Sequence, residues 1–106
     1  MADPVIVEAA INGTTTKERN PNVPRRPDEI ADDALRCLER GAGIVHNHSD
    51  VVAKPGDVAA ARYLEGWTPV FAARPDALLY PTTNFGPGVD GAYAHLEPLA
   101  DAAPLR

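Results

Sequence analysis

The sequence predicts an α/β fold in which parallel strands and helices alternate in the order β-α-β-α-β. Three short apolar runs, separated by stretches with helical periodicity, indicate parallel strands joined by right-handed helical crossovers. The runs are too continuously apolar for a sheet with one face in water. With 106 residues, of which 44% are hydrophobic and 24% charged, the chain has the composition of one small globular domain.

The first half of the chain is predicted to supply two strands and a helix. Residues 4–11 form a β-branched apolar run, typical of a buried strand, and end at a turn-forming Asn-Gly pair. The polar stretch over 14–24 is long for a connector and is predicted to be a functional or mobile loop. Pro27, followed by two acids, starts an amphipathic helix that Gly41 ends. Residues 43–48 predict a second strand that begins apolar and finishes polar.

The second half is predicted to add another helix and a third strand. A helix starts at Asp57, and Pro69 should kink or interrupt it. Residues 76–82 predict the third strand, and residues 84–88 predict a loop rich in glycine and proline. The weakly helical stretch over 91–102 should be cut by its internal proline.

Charge and cysteine content exclude several kinds of protein. Ten Lys+Arg against fifteen Asp+Glu give a net charge of −5, whereas nucleic-acid and anionic-membrane partners require clustered basic residues. No apolar run approaches the roughly 20 residues that span a bilayer, and no export signal opens the chain. The single cysteine, Cys37, excludes an internal disulfide. We therefore expect a cytoplasmic protein with no nucleic-acid or membrane partner.

Two histidines at the end of the second strand are candidate metal ligands. His46 and His48 are two residues apart, so both rings point to one side, with Cβ atoms about 6.5 to 7 Å apart. Two ring nitrogens can converge on one ion across that span. Zinc is the first choice, and iron, cobalt or nickel can bind the same pair. The alternative is a hydrogen-bonded pair without metal, and we expect His95 to lie outside the site.

Glu8 and the end of the third strand supply further candidates. Glu8 lies in a strand whose two sides should both be covered, so its carboxylate needs a partner such as a metal, an arginine or a backbone donor. It is a candidate catalytic residue, and a structural ion pair or an edge position open to water is the alternative. Thr82, Thr83 and Asn84 place hydroxyl and amide groups where parallel α/β folds form their sites, although turn formation alone also explains them.

Together these segments resemble the β-keto acid cleavage enzyme family. The resemblance rests on motifs that follow one another in register across essentially the whole chain. They are AAING at 9–13, NPNVP at 20–24, PDEIA at 27–31, GAGIVHNH at 41–48 and YPTTN at 80–84. No single motif would suffice, but the set is specific.

The resemblance implies a homo-oligomeric TIM (β/α)₈ barrel, of which residues 1–106 would be a single partial domain, the N-terminal β-α-β-α-β portion. It implies a divalent metal, usually Zn²⁺, held by His46 and His48 and by a further ligand from late in the barrel. By this resemblance, the metal is expected to bind the ketone and the carboxylate of a β-keto acid. The keto acid would then exchange acyl groups with the co-substrate acetyl-CoA to give acetoacetate and a new acyl-CoA. Thr82 matches a catalytic hydroxyl residue that contacts substrate, and Thr83 and Asn84 belong to the same substrate-binding strand end.

The chain departs from the family pattern in two places. The glutamate that binds the amino group in 3-keto-5-aminohexanoate cleavage falls near Thr15, so Thr15 is a substrate-binding candidate and another β-keto acid is expected. The catalytic acid–arginine pair and the last metal ligand belong to later strands. We therefore expect an incomplete enzyme that is inactive alone. The alternatives are a non-catalytic short α/β metal-binding or assembly module and an unrelated small metal-binding domain.

Overall fold

The computed structural model, which describes residues 2–51, 54–84 and 88–103, contains a three-stranded sheet with helices packed on it. The strands lie in the order β1-β2-β3 and both pairings are parallel. The predicted β-α-β-α-β order is therefore confirmed. The elements are β1 (Glu8–Ala10), α1 (Pro27–Glu39), β2 (Ile44–Asn47), α2 (Gly56–Ala73), β3 (Leu79–Pro81), α3 (Gly88–Tyr93) and α4 (Leu96–Ala102).

Helix α1 begins and ends where local signals predict. Pro27 opens it, and the Glu29 carboxylate accepts the N–H groups of Arg25 and Arg26, which helix geometry would otherwise leave unpaired. Gly41, just beyond the C-terminal end, has a φ of 104°, a value that side chains with a Cβ rarely adopt. One face of the helix is buried against α2 and β2 and carries Ile30, Ala31, Ala34 and Leu38.

Helix α2 continues through Pro69, so the predicted interruption is wrong. Proline cannot donate to the carbonyl of Glu65, but both residues are exposed, and water can take the place of the missing donor. Trp67 and Val70 flank the proline and are fully buried in the core. Burial of these two side chains holds the helix together as far as Ala73.

The sheet is covered on one face, which corrects the prediction that both faces are buried. Val45 and Leu79 are buried in the core that the helices share. The register row that joins His46 to Tyr80 belongs to the opposite face, where Tyr80 is 40% exposed. The predicted strand over 4–11 shrinks to three residues, and Val5 before it is 83% exposed. A continuously apolar strand has both faces buried only when further helices or strands pack on its second face.

The last third of the chain forms two short helices. The break between α3 and α4 falls at Ala94 and His95, and Pro98 lies in the first turn of α4, where a proline is tolerated. The prediction that Pro98 cuts the helix is therefore wrong. Residues 85–87 of the predicted loop lie outside the described residues. Among the described helices, none has both the length and the apolar character needed to cross a bilayer.

The carboxylate of Glu29 should make stability depend on pH. Hydrogen bonds from Lys17 and from the N–H groups of Arg25 and Arg26 lower the pKa of Glu29 to about 2. Because this pKa lies below the ordinary value of 4.5, the stabilisation is fully present above pH 4.5 and is lost as the pH falls towards 2. We expect Glu29→Gln to lower the free energy of unfolding at neutral pH, with a difference from wild type that shrinks across this window.

Urea unfolding at a series of pH values measures this difference. Glu18→Gln makes the same change of charge at an exposed position in the preceding loop and serves as the matched control. A Glu29→Gln difference that stays constant from neutral pH to pH 2, or that Glu18→Gln reproduces, would contradict the assignment.

Candidate functional site

The two candidate metal ligands lie side by side at the carboxyl end of β2. His46 is within the strand and His48 directly follows it, with ring centroids 5.4 Å apart and ring planes at 79°. The rings are closer than the roughly 6.5 to 7 Å expected between their Cβ atoms, so they lean together. Two imidazoles that bind one tetrahedral zinc through nitrogen have centroids about 5.3 Å apart. The spacing of this pair is therefore suitable for one shared ion.

A main-chain contact fixes the protonation of the His46 ring. Its Nδ1 lies 3.2 Å from the carbonyl oxygen of Tyr80, the residue opposite it in β3. A carbonyl oxygen only accepts hydrogen bonds, so Nδ1 carries the proton. In the neutral ring this tautomer leaves the lone pair on Nε2, which is the arrangement that metal-binding histidines commonly have.

The surroundings of the His48 ring favour its neutral form. Burial lowers its pKa, and the nearby His46 and Arg25 lower it further. Metal binding requires a neutral imidazole, so a lowered pKa reduces competition from protons. The lowered pKa of His48 therefore favours its use as a nitrogen donor.

Glu8 is exposed, and the prediction of a buried carboxylate is wrong. β1 is an edge strand of the described sheet, and the Glu8 side chain is open to water. The carboxylate accepts a hydrogen bond from the hydroxyl of Tyr80, which raises the pKa of Tyr80. The Tyr80 ring lies 4.3 Å from the His46 ring. Glu8 therefore reaches the histidine pair through Tyr80.

A small cavity lies between His48 and the end of β3. It has a volume of about 20 Å³, enough for one water molecule, and its lining includes His48, Thr82, Thr83 and Asn84. Three of the sequence-predicted site residues are thus brought next to a candidate metal ligand. Thr15 is not among the described residues that line the cavity; it lies in the loop after β1, where its N–H donates to the carbonyl of Asn12.

Two buried side chains hold the main chain of Thr82. Its N–H donates to the hydroxyl of Tyr63 over 3.3 Å, and its carbonyl accepts from Nε2 of His95 over 2.8 Å. The Tyr63 hydroxyl also accepts the N–H of Ser49, so it ties the ends of β2 and β3 together. His95 therefore anchors the third strand rather than joining the histidine pair. Across the described residues, no group of three or more His, Cys, Asp or Glu is placed to hold a metal.

Comparison with known proteins identifies the family. Residues 4–105 match the family described as beta-keto acid cleavage enzyme. The chain belongs to this family. It is 33% identical over 86 residues to the 3-keto-5-aminohexanoate cleavage enzyme of Acetoanaerobium sticklandii, a match that covers 80% of this chain and 32% of the relative. The chain spans about a third of the length of that relative, and the resemblance read from the motifs is confirmed.

Sequence reasoning found the candidate polar site residues of this chain but missed those that support them. Tyr80 contacts both Glu8 and His46, and it could have been inferred because it lies two residues before Thr82 and so shares its side of β3. Asn12 is buried and was assigned only to a turn. Tyr63 lies within the predicted second helix, and nothing in the sequence marks its hydroxyl as a partner of two strand ends.

Proposed function

We propose that this chain supplies the metal-binding part of a β-keto acid cleavage site, in which His46 and His48 hold a divalent metal, preferably Zn²⁺. The observation that carries the proposal is the pair of neighbouring imidazoles with centroids 5.4 Å apart, one of which donates from Nδ1 to the Tyr80 carbonyl. Family membership and the position of the pair at the carboxyl ends of parallel strands, where such folds form their sites, support it.

The proposed reaction is acyl exchange between a β-keto acid and acetyl-CoA. The bond between the ketone carbon and the α-carbon of the keto acid breaks, and the released acyl group is joined to the sulfur of CoA. The bond between the acetyl group and the sulfur of acetyl-CoA also breaks, and the acetyl group is joined to the remaining carboxymethyl unit, which gives acetoacetate. When bound, the metal supplies Lewis-acid polarisation of the ketone and carboxylate oxygens.

The chain's own residues would bind and orient the keto acid. Thr82 would contact the substrate through its hydroxyl, with Thr83 and Asn84 beside it on the cavity wall. Glu8 would act on the site through Tyr80, whose ring packs on His46. Thr15 carries no charge, so we propose a β-keto acid without an amino group at that end.

We also propose that the sheet is the β-α-β-α-β portion of a (β/α)₈ barrel. In such barrels the helices cover the outer face of the strands, and the other face fills the interior. Here α1 packs on α2 and β2, while Tyr80 and Glu8 on the opposite face are exposed. Exposed apolar residues such as Val5 and Ile6 favour association, so a homo-oligomer is proposed. The free thiol of Cys37 suits the reducing cytoplasm that we propose as its location.

Acetoacetate binding to the Co²⁺-loaded chain tests the site. Acetoacetate is itself a β-keto acid, and we expect it to change the visible spectrum of the bound Co²⁺, whereas butyrate, which lacks the ketone, should not. Thr82→Val keeps the shape of the side chain but removes the hydroxyl. We expect it to weaken acetoacetate binding about tenfold, the loss that corresponds to one hydrogen bond.

Turnover is measured separately. We expect the 106 residues alone to release no acetoacetate from acetyl-CoA and a panel of β-keto acids, since the proposal assigns them only part of the site. Release by this chain would contradict that assignment. Metal binding without any response to acetoacetate would instead favour the non-catalytic metal-binding module.

A further inference from the structure

The main chain of His48 is held by side chains rather than by a neighbouring strand. β2 ends at Asn47, so His48 lies beyond the last paired residue of the sheet. Its N–H donates to Oδ1 of Asn12 over 2.8 Å, and its carbonyl accepts from Nδ2 of Asn12 over 2.9 Å. Both main-chain polar groups of His48 are therefore bound by one side-chain amide.

Asn12 is well placed to act as a rigid support. It is 6% exposed, and its Nδ2 also donates to the carbonyl of Pro24 over 3.0 Å. The preceding residue, Ile11, donates its N–H to the carbonyl of His46, which fixes the start of this segment against β2. Asn12 thus continues the pairing of β1 with β2 by means of its side chain, one step beyond the place where the ladder ends.

The two polar groups of His48 differ in how far they depend on Asn12. The carbonyl has a second donor, Nδ2 of Asn47 at 3.2 Å, and Asn47 is in turn held by Nε1 of Trp67. The N–H of His48 has the Asn12 oxygen as its partner. Loss of the Asn12 side chain therefore releases the N–H first and leaves the carbonyl with a single donor.

We propose that Asn12 is a positioning residue for the metal centre, because it fixes the peptide of His48 and so keeps the ring beside that of His46. The part that concerns metal rests on the proposed function, while the support of the His48 peptide does not. Two histidines that bind one metal must be held within about 0.5 Å of the binding geometry, and residues outside the ligand shell contribute to that precision. If Asn12 served only to form the turn after β1, its replacement would not change the position of the two histidine rings.

Two readouts on the purified 106-residue chain test the proposal. Hydrogen exchange of the His48 amide reports the support directly and needs no metal. Titration with Co²⁺ reports the ligand pair. We expect Asn12→Ala to speed exchange at His48 about tenfold and to weaken Co²⁺ binding about 10- to 100-fold.

The control is Val70→Ala, a truncation of a buried residue two turns beyond Tyr63 in α2. Val70→Ala should lower the free energy of unfolding but change neither the exchange of the His48 amide nor the affinity for Co²⁺. If Asn12→Ala folds poorly, Asn12→Ser is measured in its place, and sucrose is added to all chains to favour the folded state. The serine hydroxyl is too short to replace both bonds of the amide.

The outcomes separate this inference from the proposed function. Unchanged His48 exchange in Asn12→Ala, or equal changes in Val70→Ala, would overturn the positioning role. So would unchanged Co²⁺ affinity in Asn12→Ala when the wild-type chain binds through its histidines. If removal of both histidines leaves wild-type Co²⁺ binding intact, the metal site itself is wrong, and His48 exchange still decides whether Asn12 supports the peptide.

Discussion

Replacing both strand histidines, His46→Ala/His48→Ala, should abolish the binding of one equivalent of Co²⁺ or Zn²⁺ to this chain. We expect an affinity loss of at least about 100-fold, because removing the ligands should cost more than the 10- to 100-fold typical of residues outside the ligand shell. Calorimetry gives the stoichiometry, and the visible absorption of Co²⁺ reports whether nitrogen donors surround the ion.

A control variant tests whether the metal binds instead to the cysteine thiol. Cys37→Ser removes the only thiol of the chain, which lies on α1 away from the end of β2. Metal binding should be unchanged in this variant. Equal stoichiometry in the double-histidine variant and the wild type would refute the proposed centre, and loss of binding in Cys37→Ser would move the site to the thiol.

The features that could be predicted from sequence depend on neighbours along the chain. Pro27 and Gly41 bracket α1 because the backbone preferences of these residues act locally. The break predicted at Pro69 also follows a local rule, but here the burial of Trp67 and Val70 outweighs it. The cover of the sheet could not be predicted, since an apolar run does not say how many faces other elements will bury.

The candidate site divides in the same way. His46 and His48 share a side because alternate residues of a strand always do. The contact of His46 with Tyr80 depends on the register of β2 with β3. The two hydrogen bonds between Asn12 and His48 depend on the segment after β1 lying beside the end of β2. Such partners follow from three-dimensional pairing. Sequence reasoning therefore identified the groups that can do chemistry and missed the groups that hold them.

The largest loss of stability is expected from truncation of the single tryptophan. Trp67 is fully buried, its ring lies 5.2 Å from that of Tyr63 and 6.4 Å from that of Phe71, and its Nε1 donates to Oδ1 of Asn47 over 2.8 Å. Trp67→Ala should lower the free energy of unfolding by about 3–5 kcal/mol, because it removes a large buried side chain and leaves a cavity. Small domains have about 5–15 kcal/mol in total, so the variant should be close to unfolding.

Trp67→Phe separates packing from the hydrogen bond. Phenylalanine retains most of the apolar contact but leaves the buried Oδ1 of Asn47 without its donor, which should cost about 1–3 kcal/mol. Urea unfolding followed by circular dichroism compares the three chains, since the variants lack the tryptophan that fluorescence would report. Equal losses for alanine and phenylalanine would mean that the hydrogen bond, and not the packing, dominates. Because Nδ2 of Asn47 also donates to the carbonyl of His48, either variant should also loosen the end of β2 that carries the metal ligands.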